Sequence, residues 1–271
     1  MSLFLEVVQN RTSSVRWRSV ALPTEHGAWA FVSEPLLLGL ILAPGLAGLS
    51  LSIAALGAFL LRQPLKLYLK DIRNQRLVPR TYAARRFILI YGAVTGIAGI
   101  ATLLLMPSMN VLLPLLFATP LFIFQLIYDL RNQSRSAAAE IAGSVATGAF
   151  ASSIVMMQGW SLSLALGLWL VLAVKSIAAV LYVRSRLRLE REKSANIGLA
   201  LTVHVFAVIL LLITTAYTLT RWTSPFAMII LTVRAVVGLS PLRKARPPKI
   251  IGMQEIAYGL LFLLLVALGY R

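Results

Sequence analysis

Long apolar runs, broken by short polar connections, follow one another along almost the whole chain. After Pro23-Thr-Glu-His-Gly-Ala-Trp29 the first run extends to about residue 43. Further runs cover about 46–69, 87–106, 110–128, 137–157, 161–183, 195–218, 223–240 and 253–270. An α-helix of about 20 apolar residues crosses ~30 Å of hydrocarbon, and most of these runs are of that order. The pattern therefore predicts an all-α fold, a polytopic membrane bundle of about nine transmembrane helices over residues 23–271. Thr24, just after Pro23, is placed to cap the first helix. Residues 1–22 carry Arg11, Arg16 and Arg18 and only the short apolar patch Leu3-Phe-Leu5, too small for a secretory signal. They are expected to form a cytoplasmic N-terminal tail that lies along the membrane surface.

The cations between the runs test the helix count, because lysine and arginine gather on the cytoplasmic side of span ends. The connections at 70–86, 129–136, 184–194 and 241–252 are basic. Those at 43–46, 107–110 and 158–161 have no cation, and 219–222 has only Arg221. This alternation is that of a plasma (inner) membrane protein with its N-terminus inside and its C-terminus outside. One helix more or fewer would put the later basic connections on the wrong side.

Two basic segments stand out. In Arg62-Gln-Pro-Leu-Lys66-Leu-Tyr-Leu-Lys70-Asp-Ile-Arg73 a continuing helix puts Arg62, Lys66 and Lys70 on one face. More than a hundred residues later, Lys175 is followed by Tyr182-Val-Arg184-Ser-Arg186-Leu-Arg188. Cations stacked in this way repel one another unless an anion sits among them. Taken singly, Arg62, Lys66, Arg184 and Arg188 read equally well as anchors that reach out to lipid phosphates.

Ionisable groups inside spans are costly in hydrocarbon and face a partner or a cavity. They are Glu34, Lys175, His204 and Arg234, with Glu25, His26, Glu140 and Glu255 nearer the cytoplasmic ends. At ~1.5 Å per residue Glu34 and Lys175 reach a similar depth. That predicts either a structural ion pair or part of a polar cavity open to the cytoplasm. His26, at a helix start, is a candidate phosphate donor or proton carrier and equally a capping histidine; His204 reads as a packed helix histidine. Small residues in Gly92–Gly99 and Ala142–Ala149 predict close helix contacts. A helix with an early glutamate, an outer turn and a helix leaving through arginines occurs at about 25–73 and again at 140–188.

Composition narrows the function. The chain has 271 residues, 59% hydrophobic and 13% charged, with a net charge of +17. Mean hydropathy is +0.83 and the pI is near 11.2. The charge is explained by membrane topology, and the basic segments lack the base-stacking aromatics of a nucleic-acid reader. Without cysteine there is no disulfide or thiolate chemistry, and two isolated histidines make no zinc motif.

Two resemblances enter here. Pro23-Thr-Glu-His-Gly-Ala-Trp-Ala30, Arg62-Gln-Pro-Leu65, Pro79-Arg-Thr-Tyr82 and Tyr182-Val-Arg-Ser-Arg-Leu-Arg188 together resemble the YwiC-like membrane protein family. That resemblance implies a multi-pass membrane protein and no particular chemistry. In layout the chain is more distantly similar to the UbiA superfamily of intramembrane prenyltransferases. Those have about nine helices and two aspartate-rich motifs facing a cavity, at the points where the two basic segments stand here. Where that family has Asn-xxx-Asp-xxx-Asp, this chain reads Gln63-xxx-Leu67-xxx-Asp71 or Arg62-xxx-Lys66-xxx-Lys70, and its second segment is arginine-rich. Paired carboxylates hold the Mg²⁺ that neutralises a diphosphate leaving group. Cations instead bind phosphate directly, so no Mg²⁺ or other cofactor is expected.

The expected function is binding of an anionic lipid or isoprenoid phosphate in a cytoplasm-facing basic cavity, and the UbiA-like layout implies a divergent prenyltransferase-like protein. Arg62, Lys66, Lys70, Lys175, Arg184 and Arg188 would hold the anion, and Glu34 and His26 are the candidate catalytic groups. The partners are membrane lipids and the lipid or isoprenoid phosphate. The alternative readings are a permease for a small anion and a membrane scaffold whose buried charges serve packing alone.

Overall fold

The computed structural model describes residues 17–23, 26–75, 77–131 and 133–270. A short helix α1 (Trp17–Ala21) precedes α2 (His26–Leu42), α3 (Leu46–Arg73) and α4 (Pro79–Leu105). A single 3-10 turn (Met109–Leu112) leads into α5 (Leu113–Leu130), followed by α6 (Ala137–Met156) and α7 (Leu162–Leu189). The last three are α8 (Ile197–Ala216), α9 (Thr223–Leu239) and α10 (Pro248–Tyr270). No strand occurs among the described residues. Seven of the helices are long and apolar enough to cross a membrane; α2, apolar over Trp29–Leu42, and α9 are shorter apolar helices. The polytopic all-α bundle read from the sequence is therefore the fold. The N-terminal tail before Trp17, Thr24 with its expected cap, and Glu25 lie outside the described residues.

Local chemistry starts several of these helices. The Ser136 and Ser161 hydroxyls accept from the backbone N–H groups of Ala139 and Leu164, and Asn196 Oδ1 accepts from that of Leu199. Each satisfies one of the donors that a helix start leaves open. Pro79 opens α4, where the missing N–H is no loss. The basic stretch 70–86, expected as a long connection, is thereby mostly helical: α3 runs on to Arg73, α4 starts at Pro79, and only 74–78 is left to turn. Asp71 makes that turn tight. It is 2% exposed, and its carboxylate accepts from Arg80 Nε at 3.0 Å, Arg80 Nη2 at 2.6 Å and Thr81 Oγ1 at 2.8 Å.

Cross-helix contacts define the two ends of the bundle. At one end Arg184, late in α7, meets Glu140, early in α6, and Arg186 donates to the Gly238 carbonyl at the end of α9. Arg62 of α3 joins Asp129 in the last turn of α5 there. At the other end Gln158 Nε2 donates to the Pro44 carbonyl, and Trp160 stacks on Tyr270 with centroids 5.3 Å apart. The four basic connections share the first end and the cation-poor ones share the second, as the charge alternation requires.

The core lies nearer the cation-poor end. Leu38, Ile154, Val155, Leu168, Val171, Leu211, Met228 and Val266 are fully buried there in one cluster contributed by α2, α6, α7, α8, α9 and α10. Close approach is built where glycines meet neighbours: a Cβ on Gly57 would lie 2.6 Å from Thr95 Oγ1, and one on Gly48 2.8 Å from Ile154 Cγ2. The Ala142–Ala149 stretch is packed as expected, Gly148 lying against Trp169. Gly92, Gly96 and Gly99 are different, since a Cβ there would meet nothing within 4 Å. α4 packs against α3 on the side of Thr95, so this glycine face is turned outward rather than into a helix contact as the sequence suggested.

Candidate functional site: a charged cavity at the basic end

A cavity of ≈ 1060 Å³ enters the bundle from the basic end. Gly27, Ser134, Arg135, Arg191, Pro248 and Lys249 line it near the helix termini, and Ala55, Phe150, Lys175 and Gly259 line it deep in the bundle. Beyond that depth stands the packed layer of Leu38, Ile154, Leu168 and Met228, each one helical turn or two further along its helix. The hollow thus stops inside the bundle.

Two ion pairs form its inner part. Lys175 on α7 and Glu34 on α2, 5% and 8% exposed, bond to each other, which settles the pairing of the two groups of matched depth. Arg234 Nη1 on α9 donates to both oxygens of Glu255 on α10, at 2.8 and 2.9 Å. The Arg234 guanidinium also lies 3.9 Å from the Tyr182 ring centre and 5.5 Å from that of Tyr258. Such stacking suits a flat, weakly hydrated cation taken out of water. Glu34 is in turn pressed against α10, where Gly259 leaves room that a Cβ would take from Glu34 Oε1. His204 sits outside the cavity lining, fully buried, with Nδ1 2.7 Å from the Ala200 carbonyl and its ring edge-on to Tyr182. It is the packed helix histidine expected.

Towards the mouth the balance turns cationic. Arg184 Nη1 donates to Glu140 Oε2 and to the Arg135 carbonyl, both at 2.9 Å. Arg62 donates two parallel bonds to Asp129, through Nε to Oδ2 and through Nη2 to Oδ1 at 2.5 Å. Arg191 and Lys249 also line the cavity, and neither makes an ion pair with a described residue. In all, the lining carries seven cationic side chains and three carboxylates, so the cavity as a whole is positive.

Of the six cations expected to hold an anion, Arg62, Lys175 and Arg184 line the cavity. Lys66, Lys70 and Arg188 are not among its lining residues. Lys66 Nζ lies 3.5 Å from Ser134 Oγ, Lys70 is exposed, and Arg188 Nε donates to the Ser194 carbonyl at 2.5 Å. Glu34 lines the cavity, while the side chain of His26 lies outside what the structure describes. Sequence reasoning passed over Asp129, Arg135, Arg191 and Lys249, all of which fall in stretches read as connections. It also passed over the buried Arg186, held by Glu190 Oε1 at 2.8 Å and by the Lys244 carbonyl at 2.5 Å. The four-residue spacing of Arg186 and Glu190 was the signal for that pair.

These residues do not fit the Mg²⁺ site that the UbiA layout implies. Asp71, the one carboxylate in the register of the first motif, is enclosed by Arg80 and Thr81 and is absent from the cavity lining. Among the described residues no three histidine, aspartate or glutamate side chains gather as a metal site would need.

A family model described as YwiC-like protein matches residues 22–155. No curated protein and no solved structure matches the chain. The matched segment contains Glu34, Arg62, Asp129 and Glu140, while Lys175 and Arg184, the partners of the two glutamates, come from the helices after it.

Proposed function

The chain belongs over residues 22–155 to the YwiC-like protein family and is a multi-pass membrane protein; from that premise we propose that it binds an anionic, phosphate-bearing amphiphile in the basic cavity. The basic end faces the cytoplasm of an inner membrane under this reading, since the four basic connections gather there. The observation that carries it is the surplus of positive charge in the lining, above all Arg191 and Lys249, which have no carboxylate to answer them among the described residues. A phosphate oxygen accepts charge-assisted hydrogen bonds from such groups, and their strength grows as water is excluded.

Apart from Arg62, which Asp129 holds, the cations of this end, expected and newly found, divide into three roles. Arg184, Arg191 and Lys249 hold the phosphate at the mouth. Lys66, Lys70 and Arg188, placed around that end, raise the local positive potential that draws anions in. Lys175 with Glu34, and Arg234 with Glu255, make a neutral polar floor. The engagement of Glu34 by Lys175 supports that structural role over a catalytic one, and the proposal is one of binding, with no reaction assigned. The packed layer beneath the floor favours a binding protein over a conduit joining both sides of the membrane.

Thermal unfolding in detergent with added phosphatidic acid or phosphatidylcholine tests the reading. A ligand at about a hundred times its Kd stabilises the fold by about 2.7 kcal/mol. Phosphatidic acid should raise the midpoint and phosphatidylcholine should not. The Arg191→Glu/Lys249→Glu variant should lose the effect; equal shifts for both lipids, or an undiminished shift in the variant, would remove the proposal.

A further inference from the structure

The cavity has an apolar side that the ion pairs do not use. On that side α3 contributes Ala55, Ala58 and Phe59, α5 contributes Phe122, and α6 contributes Phe150. Both α3 and α5 pack against α6, yet they are not a pair that packs along its length, so a slot is left between them over the face of α6. Its end nearest the cation-poor side is shut: Val111 of the 3-10 turn is buried with Leu51 and Ala55, and Met106, Leu112 and Leu115 pack around them. Its other end is bridged by side chains alone, Arg62 to Asp129 and Lys66 to Ser134. Between these two closures the slot is flanked by residues that face lipid. Ala58 is exposed although it lines the cavity, and Leu126, one turn after Phe122 on α5, is exposed as well.

Such a slot serves a membrane solute whose one end is charged and whose other end is hydrocarbon. Water would gain little from the aromatic walls, and a free anion has no use for them. We propose that the slot between α3 and α5 holds the hydrocarbon chain of an anionic, phosphate-bearing membrane lipid, which enters sideways from the bilayer. The inference rests on the reading of the cavity as an anion site and adds where the chain lies and how it arrives. The phosphate lies at the Arg184, Arg191 and Lys249 mouth while the chain runs along Phe59, Phe122 and Phe150. The Arg62–Asp129 pair is the latch across the slot's basic end. A phosphate moving past it offers Arg62 a second bidentate acceptor, so the latch opens by exchanging one anion for another rather than by leaving a guanidinium bare. Its partners lie 67 positions apart on two helices that otherwise part, which is where a movable contact would be placed.

Phosphatidylcholine vesicles containing a phosphatidic acid with a photoactivatable diazirine in its chain provide the test on the reconstituted full chain. Irradiation should label peptides covering 55–62 and 115–129. Unlabelled phosphatidic acid should displace that label, and inorganic phosphate should not. Ala58→Trp, which fills the slot, should cut the labelling by about tenfold, a loss of about 1.4 kcal/mol. The chain has no cysteine, so an Arg62→Cys/Asp129→Cys variant can be bridged by a bismaleimide at that one place. Bridged protein should load about tenfold more slowly than the same variant unbridged, the bridge having replaced a latch that yields with one that does not. Specific label found instead on α9 and α10, or loading indifferent to the bridge, would overturn the slot while leaving the anion site standing. Equal capture of a diazirine phosphatidylcholine would overturn both.

Discussion

Lys175 on α7 bonds to Glu34 on α2 across 141 positions of sequence, with both groups withdrawn from solvent. Neither charge would be tolerated alone at that depth, so the pair fixes which faces of α2 and α7 turn inward. The same contact places the floor of the cavity.

Removing one member should therefore cost more than removing both. Lys175→Met or Glu34→Gln alone leaves an unanswered buried group and should lower stability by about 3 kcal/mol. The double variant Glu34→Leu/Lys175→Met should recover a large part of that loss. Thermal unfolding of the three variants in the same detergent measures it, and singles no worse than the double would contradict the pairing.

Gly259 should be intolerant and Gly96 tolerant of the same small change. Gly259→Ala drives a methyl group into Glu34 and should destabilise by about 1–3 kcal/mol. Gly96→Ala meets no atom within 4 Å and replaces the poorer helix former, so it should be neutral or slightly stabilising. Midpoints of unfolding for the two variants give the comparison.

Asp71→Asn should loosen the turn between α3 and α4. Arg80 is half exposed, so the loss is screened and should come to about 1–2 kcal/mol rather than the full value of a buried pair. Faster tryptic cleavage after Arg73 is the readout, with Thr81→Ala showing a smaller change in the same direction.

Topology can be read from cysteines placed at either end of the cysteine-free chain. A membrane-impermeant maleimide applied to intact cells should label Ser108→Cys at the cation-poor end. It should reach Gln133→Cys, at the basic end, only after permeabilisation. Labelling in the reverse order would invert the orientation.

Much of this architecture is local and so could be read from the chain. Apolar run length gave the helices to within a few residues, and the alternation of basic connections gave the two ends. Depth counting brought Glu34 and Lys175 together because a helix rises by a fixed amount per residue. The basic termini were misjudged for a physical reason: an apolar window stops at the first arginine, while the helix goes on as long as its backbone is satisfied. Hence α7 continues six residues past Val183 to Leu189, and α4 begins eight residues before the apolar run at Phe87. The partner of Arg62 was illegible for another reason. Asp129 sits in the last turn of a helix that does not pack along the length of α3, and no periodicity in either segment points to the other. Arg191 and Lys249 were likewise read as connection residues, since nothing local tells a cation facing water from one facing a cavity.

Native mass spectrometry of the full chain released from its own membranes tests the central claim most directly. The unaltered protein should carry a bound phosphate-bearing amphiphile that the Arg191→Glu/Lys249→Glu variant, equally folded, has lost. Release of both proteins free of any such molecule, or retention of the same one by both, would contradict the account.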